Sequence, residues 1–474
     1  MTQKEQPHSH RSVDQAGSQA RSLGQRIRWY RARQGISQEA LAETIGASSR
    51  SIRRWEQDLA LPQGLYRERL CQALSINPQE LFGAISLEEV QQVLWTVPFP
   101  RNPCFTGRET ILQTLHELLD GEQPAALSGL GGIGKTQVAI EYAYRYAHDY
   151  SAVIWLAAET AEELIGSLQA LAEQAQIPPR QMANQSQLVM TVQRWLAAHP
   201  GWLIIADNVE DPDLLNSVLP PLRQGALLIT TRRQALGTLA APLKLPSMSR
   251  EEGITLILRR ARRLDEQQTQ PEVAELVRLL DGFPLALDQA GSYLEETGCS
   301  VADYLKRYQD QRQLILARRG SHGGAHPASV TTTLKLSVER VEREHPAAVD
   351  LLRVCAFLHP ETIPEELLSA GAPFLGPGLQ AVLVDPYQFD QILAALRNAS
   401  LVTRSPETRT LSVHRLVQAV LTDWMEPEEA HRWQTGIIQM VNTAFPDNET
   451  THATQCERYL SQALACVPLI EQCA

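Results

Sequence analysis

The sequence predicts a multidomain protein with a doubly wound parallel α/β unit at its centre and all-α units around it. Three observations carry this. Apolar strands alternate with helical stretches between residues 125 and 231 ("AALS", "AVIWLAA", "WLIIAD", "ALLITT"), and such strands belong to a buried parallel sheet with helices on both faces. The first strand runs into a glycine-rich loop, "SGLGGIGKTQ", and then a helix. The segments before about residue 83 and after about residue 246 have helical periodicity, broken by one hairpin pattern, "SLVTRSPETRTLSV".

The elements follow in order. Residues 1–20 lack periodicity and are expected to form a disordered arm. Residues 21–82 read as a five-helix domain: Leu23, Ile27 and Tyr30 sit at helical spacing, Gly35 ends that helix, and Ser37 can cap a second one over Gln38–Ile45. Gly46 turns the chain into a third helix starting at Ser48 or Ser49, with Ile52 and Trp55 on its buried face. A proline-rich linker is expected over 83–104, a phosphate-loop unit over 105–245 and a helical unit over 246–318. A mostly helical unit with the hairpin follows over 319–425, then two terminal helices over 426–474.

Charge separates the head from the body. Residues 21–57 hold eight Arg against three Glu, a net +5 in a chain of −11, which leaves −16 for the remainder. That division points to a polyanionic partner for the head alone. The seven cysteines are scattered without a CxxC pair, so a zinc site is not expected. No apolar run approaches the roughly 18 residues of a membrane helix, and the N-terminus lacks a signal-like apolar core. A cytoplasmic protein without a membrane partner is expected.

Gly129 to Thr136 fits GxxxxGK[ST], the loop that cradles a nucleoside triphosphate. Backbone N–H groups from Gly129, Gly131, Gly132, Ile133 and Gly134 would face phosphate oxygens, and Lys135 would set a cation between the β and γ phosphates. Thr136 would ligate Mg²⁺, and Gln137, in the first helical turn, is counted among the nucleotide-binding residues. Asp207, closing the strand "WLIIAD", is the expected second Mg²⁺ ligand, directly or through water. Arg232, just past "ALLITT", would sit beside the γ-phosphate and report its presence. Lys135, Asp207 and Arg232 are therefore the candidate catalytic residues. The residue after Asp207 is Asn208, an amide that cannot accept a proton, with Glu210 and Asp211 as possible substitutes a turn later. Slow ATP hydrolysis follows, and a switch is favoured over a motor.

In combination these motifs resemble the NB-ARC class of STAND NTPases across residues 105–425. Phe105–Glu109 looks like that family's opening motif, in which the Arg108 region contacts adenine. "LDGFPLAL" looks like its GLPL motif, with Pro284 packing on the base. "SVHRLV" looks like its MHD motif in a winged-helix unit, where the histidine, here His414, binds the β-phosphate of ADP. Val413 and Arg415 stand where the family has Met and Asp, so the Asp role does not carry over. The resemblance implies an ADP-bound closed monomer that opens and self-associates with ATP.

The head resembles the phage-repressor type of helix-turn-helix. That likeness implies DNA binding through residues 37–57: Gln38 near a phosphate, and Ser48, Ser49, Arg50, Arg53 and Arg54 facing the major groove. Arg26, Arg28, Arg31 and Arg33 would add charge toward the DNA backbone. The chain then reads as a nucleotide-switched transcriptional regulator. The alternatives are a defence-type sensor whose head is a protein adaptor, and a true ATPase motor. The C-terminal helices resemble the lead-in to a tetratricopeptide array, which needs about three repeats for stability. A truncated array or a sensing partner would accommodate the unknown trigger.

Overall fold

In the computed structural model, the described residues are 22–82 and 94–473, apart from 48, 59–61, 63–64, 122, 178–183, 220–224, 264–269, 318–328 and 447–452. The expected arm (1–20), Ser48 and the loop over 318–328 lie outside them, as does the side chain of Arg50.

Among the described residues the head has five helices: α1 (Leu23–Arg33), α2 (Gln38–Ile45), α3 (Ser49–Glu56), α4 (Leu65–Ala73) and α5 (Pro78–Phe82). Local chemistry sets the first two. Ser22 caps α1, and Ser37 caps α2 by accepting from the Ala40 N–H at 3.0 Å. Gly46 ends α2 in the left-handed region, φ 70°, a conformation that costs glycine little. Ile27, Leu41, Ile45, Ile52, Trp55 and Leu70 fill the core. A Cβ on Gly24 would lie 2.3 Å from the carbonyl oxygen of Trp55, so glycine lets α1 approach α3.

The central sheet has six parallel strands in the order β1-β3-β4-β5-β2-β6. They are β1 (Leu94–Trp95), β2 (Ala125–Ser128), β3 (Ala152–Ala157), β4 (Trp202–Asp207), β5 (Gly225–Thr231) and β6 (Ala241–Lys244). Four are the strands expected from the sequence. β1 corrects the linker reading, because its two residues pair with Ala152 and Val153. β6 was also missed. Both edges are too short or too polar in pattern to give a periodic signal; β6 alternates half-buried and exposed residues. Side-chain alternation divides the core into two layers. Leu203 and Ile205 of β4 pack with α6 (Glu109–Asp120) and α7 (Lys135–Tyr146) on one face. Trp202 and Ile204 pack with α8 (Ala161–Gln174), α9 (Gln185–Ala198) and α10 (Pro212–Val218) on the other.

Helices α11 (Arg250–Arg260), α12 (Gln270–Leu279), α13 (Pro284–Thr297), α14 (Val301–Asp310) and α15 (Arg312–Ala317) follow without strands. Then come α16 (Val330–Glu344) and α17 (Pro346–Cys355). A second sheet, in the order β7-β9-β8, joins β7 (Ile363–Pro364) to the expected hairpin of β8 (Val402–Ser405) and β9 (Thr410–Val413). Its pairs are antiparallel. Helices α18 (Glu365–Ala370), α19 (Pro377–Val384), α20 (Pro386–Asn398) and α21 (Arg415–Trp424) pack around it, and α22 (Pro427–Ala444) and α23 (Ala453–Cys473) end the chain. Among the described residues no helix is long and apolar enough to cross a membrane.

Candidate nucleotide-binding site

A cavity of about 410 Å³ opens at the carboxyl ends of the parallel strands. That edge, at the point where strand order reverses, is where open α/β sheets bind ligands. Its wall includes Arg108, Gly131–Gln137, Asp207, Arg232 and Pro284, residues widely separated in sequence.

The loop is shaped by its glycines. Gly132 (φ 87°) and Gly134 (φ 96°) take left-handed conformations, and a Cβ on Gly132 would lie 2.9 Å from Leu285. The Leu285 N–H donates to the Gly132 carbonyl at 3.3 Å, tying the loop to the start of α13, where Pro284 occupies the first turn. Lys135 is buried, and its Nζ donates to the carbonyl oxygens of Gly129 (2.7 Å) and Leu130 (2.9 Å). Burial, reinforced by the charge of Arg232, pushes its pKa down to about 7. An anion in the cavity would offset that penalty. Thr136 Oγ1 donates to Asp207 Oδ1 at 2.9 Å, as does Thr230 Oγ1 at 2.5 Å. Burial raises the pKa of Asp207 against these hydrogen bonds. Thr136 and Asp207 are hard oxygen donors side by side, which suits a Mg²⁺ whose other ligands are phosphate oxygens and water.

Arg108 sits in the left-handed region (φ 65°) before α6, and its N–H donates to Glu252 Oε1 at 2.7 Å. The other oxygen of Glu252 closes the capping box of α11 with Ser249. The Arg108 side chain is only 6% exposed, and its Nη2 has no hydrogen-bond partner among the described residues. A buried, unpaired guanidinium nitrogen on the cavity wall fits a polar group of a bound nucleotide. Asn102, which sequence reasoning missed, holds Gln137 by donating from Nδ2 to Oε1 at 2.8 Å. Nothing in its proline-rich surroundings marked it.

Two features depart from expectation. Gly129 and His414 do not line this cavity; both line a smaller one of about 220 Å³ that shares Ile133 with it. His414 caps α21, with Nδ1 accepting from the Leu416 N–H at 3.2 Å. That turns Nε2 to Ser247 Oγ (3.1 Å) and Asp281 (3.5 Å), and the ring edge onto Phe283. Burial lowers the His414 pKa, with Asp281 opposing the shift. Arg232 does line the large cavity, but its Nη1 also donates to Ser337 Oγ of α16 at 3.1 Å.

The head also departs from expectation. Arg54 does not face outward: it is 4% exposed, and a Cβ on Gly201 would lie 2.4 Å from its Nη2. Ser51, on the same side of α3, donates to buried Asp149 at the end of α7's 3₁₀ extension. Tyr66 Oη meets His148 Nε2 at 3.0 Å. With Ile52 and Trp55 in the core, helical spacing brings Ser51 and Arg54 against the body. Gln38 and Arg31 are committed within the head, both donating to Glu56 at 2.6 and 2.5 Å. Arg53 is exposed and Ser49 is half-buried.

The NB-ARC domain family matches residues 106–265, a helix-turn-helix domain family matches 22–82, and a domain of unknown function, DUF7779, matches 339–430. A nucleotide-binding leucine-rich repeat (NLR)-like protein of Hyaloscypha variabilis is 24% identical over 88% of this chain and 44% of its own length. Disease resistance RPP8-like protein 3 of Arabidopsis thaliana is 25% identical over 47% of this chain and 27% of its own. The chain thus spans less than half the length of either relative. Among solved structures, the Walker-type ATPase PABY2304 of Pyrococcus abyssi superposes with a TM-score of 0.50 at 16% identity, over 69% of this chain and 98% of that one. That likeness concerns the fold alone.

Proposed function

We propose that this chain, an NB-ARC/STAND P-loop NTPase with an N-terminal helix-turn-helix domain, is a nucleotide-switched DNA-binding regulator. The observation that carries the reading is the double engagement of Arg232. The same guanidinium lines the nucleotide cavity and holds Ser337 of α16. Ser400 donates to the Arg232 carbonyl, and Arg340 of α16 pairs with Glu210 just beyond β4. The cavity edge is therefore fastened to the hairpin-bearing unit at several points. Bound ATP supplies the γ-phosphoryl charge that ADP lacks. Arg232 turning to that charge would let go of Ser337 and loosen the α16 unit. His414, clasping Ser247 and Asp281, would hold the closed arrangement from the other side of the loop.

The phosphate-loop unit itself also covers part of the head. Ser51 and Arg54 of α3 lie against Asp149 and Gly201, so a duplex could not reach those two residues while the head is docked. The switch would have to undock the head from Asp149 and Gly201 as well; α3 is then free, and self-association would bring two heads together, raising DNA occupancy by avidity. Such a protein would work in the cytoplasm. The likeness to an NLR-like protein across 88% of the chain keeps a second reading in view, a defence-type sensor whose head is a protein adaptor.

The test compares DNA affinity of the full chain loaded with ADP and with a non-hydrolysable ATP analogue. Tighter, salt-sensitive binding in the ATP-analogue form is expected. Equal binding in both forms would sink the switch, and no binding in either would favour the protein-adaptor reading.

A further inference from the structure

Attack of water on a phosphoanhydride is helped by a group that takes the water's proton. Sequence offers only an amide, Asn208, beside Asp207, with Glu210 and Asp211 a little further on. In the folded chain neither acid lines the large cavity. Glu210 is paired with Arg340, and Asp211 caps α10, accepting from the Asp213 N–H at 3.0 Å.

The adjacent strand brings a different acid. β3 lies parallel to β4 with Ala157 level with Asp207, and two residues beyond stands Glu159 on the cavity wall. Asn208 Nδ2 donates to Glu159 Oε2 at 2.6 Å. Asn208 is itself fixed: its backbone is left-handed (φ 59°) and its N–H donates to Thr230 Oγ1 at 2.9 Å. The other Glu159 oxygen makes no hydrogen bond or ion pair among the described residues, and the side chain is solvent-exposed. The strand that ends in Asp207 thus supplies an orienting amide, and its neighbour supplies a carboxylate.

We propose that Glu159 is the general base of an ATP hydrolysis carried out in this cavity, and that Asn208 is its positioning residue. This rests on the nucleotide-binding reading of the site. The Glu159 carboxylate accepts a proton from water as the water oxygen bonds to the γ-phosphorus. The bond from that phosphorus to the β–γ bridging oxygen breaks, and its electron pair leaves with ADP. The products are ADP and inorganic phosphate, and Glu159, being exposed, returns the proton to solvent. Hydrolysis would then reset the switch from its own cavity.

The experiment uses the full chain as wild type, Glu159→Gln, Asn208→Ala and Glu210→Gln. Three quantities are read: affinity for a fluorescent ATP analogue, phosphate release, and the nucleotide retained through purification. Glu159→Gln should keep wild-type affinity, lose about a hundredfold or more in turnover and retain ATP where wild type retains ADP. Asn208→Ala should lower kcat while leaving KM near wild type. Wild-type turnover in Glu159→Gln, or a loss confined to Glu210→Gln, overturns the proposal. So does a wild type that binds ATP without hydrolysing it. A wild type that fails to bind the analogue would instead remove the nucleotide reading beneath it.

Discussion

Arg232 Nη1 and Ser337 Oγ lie 3.1 Å apart although 105 residues separate them in sequence. The bond joins the carboxyl end of β5, on the nucleotide cavity, to a fully buried position on α16. Ser337→Ala removes a hydrogen bond to a charged group, worth about 1.5–3 kcal/mol where it is buried. The closed form should be weakened by roughly tenfold or more, read as faster ADP release in a stopped-flow chase. An unchanged release rate would show that the bond does not hold the switch.

Lys135→Ala removes the buried cation whose Nζ now rests on the Gly129 and Leu130 carbonyls. Denatured wild-type protein should release about one nucleotide per chain by chromatography, as a P-loop site predicts, and the variant almost none. Release of nucleotide from the variant would place the binding site elsewhere.

Asp149→Ala removes the acceptor that holds Ser51 against the body. If the docked head is the masked form, DNA affinity in the ADP state should rise by about tenfold. Arg53→Ala, at an exposed position on α3, should instead weaken binding and relax sequence preference. Gel shifts with specific and scrambled duplexes across a salt series report both. Falling affinity in Asp149→Ala would mean that docking aids binding.

His414 contributes a pH dependence below neutrality. Burial holds its folded pKa below the ordinary 6.5, against the pull of Asp281 and with the repulsion of Arg415. The unfolded chain therefore takes up the proton first as pH falls. Stability from the neutral, buried imidazole is present above about pH 6.5 and declines below it. Thermal midpoints at about pH 7.5 and about pH 5.5 should differ more in wild type than in His414→Asn, which keeps an N-cap side chain. Equal differences would mean that the histidine is not buried neutral.

Much was legible because it is local. Ser37 and Gly46 bound α2, the glycines and Lys135 mark the phosphate loop, and the apolar runs ending at Asp207 and Thr231 mark β4 and β5. Each depends on residues within one turn or strand, whose backbone preferences do not need the rest of the molecule. Edge strands were lost because two residues, Leu94 and Trp95, have no period to detect.

The phosphate loop and the helices of the head could be read from the chain alone, since capping, glycine conformation and hydrophobic period act over a few residues. Which distant residues meet depends on the folded molecule. It put Glu159 beside Asn208, Ser337 on Arg232, His414 behind the loop, and Ser51 and Arg54 against the body. Those pairings come from strand order and from the packing of one unit on another. Strand register fixes Asp207 opposite Ala157, and hence Asn208 within reach of an acid that no local motif singles out.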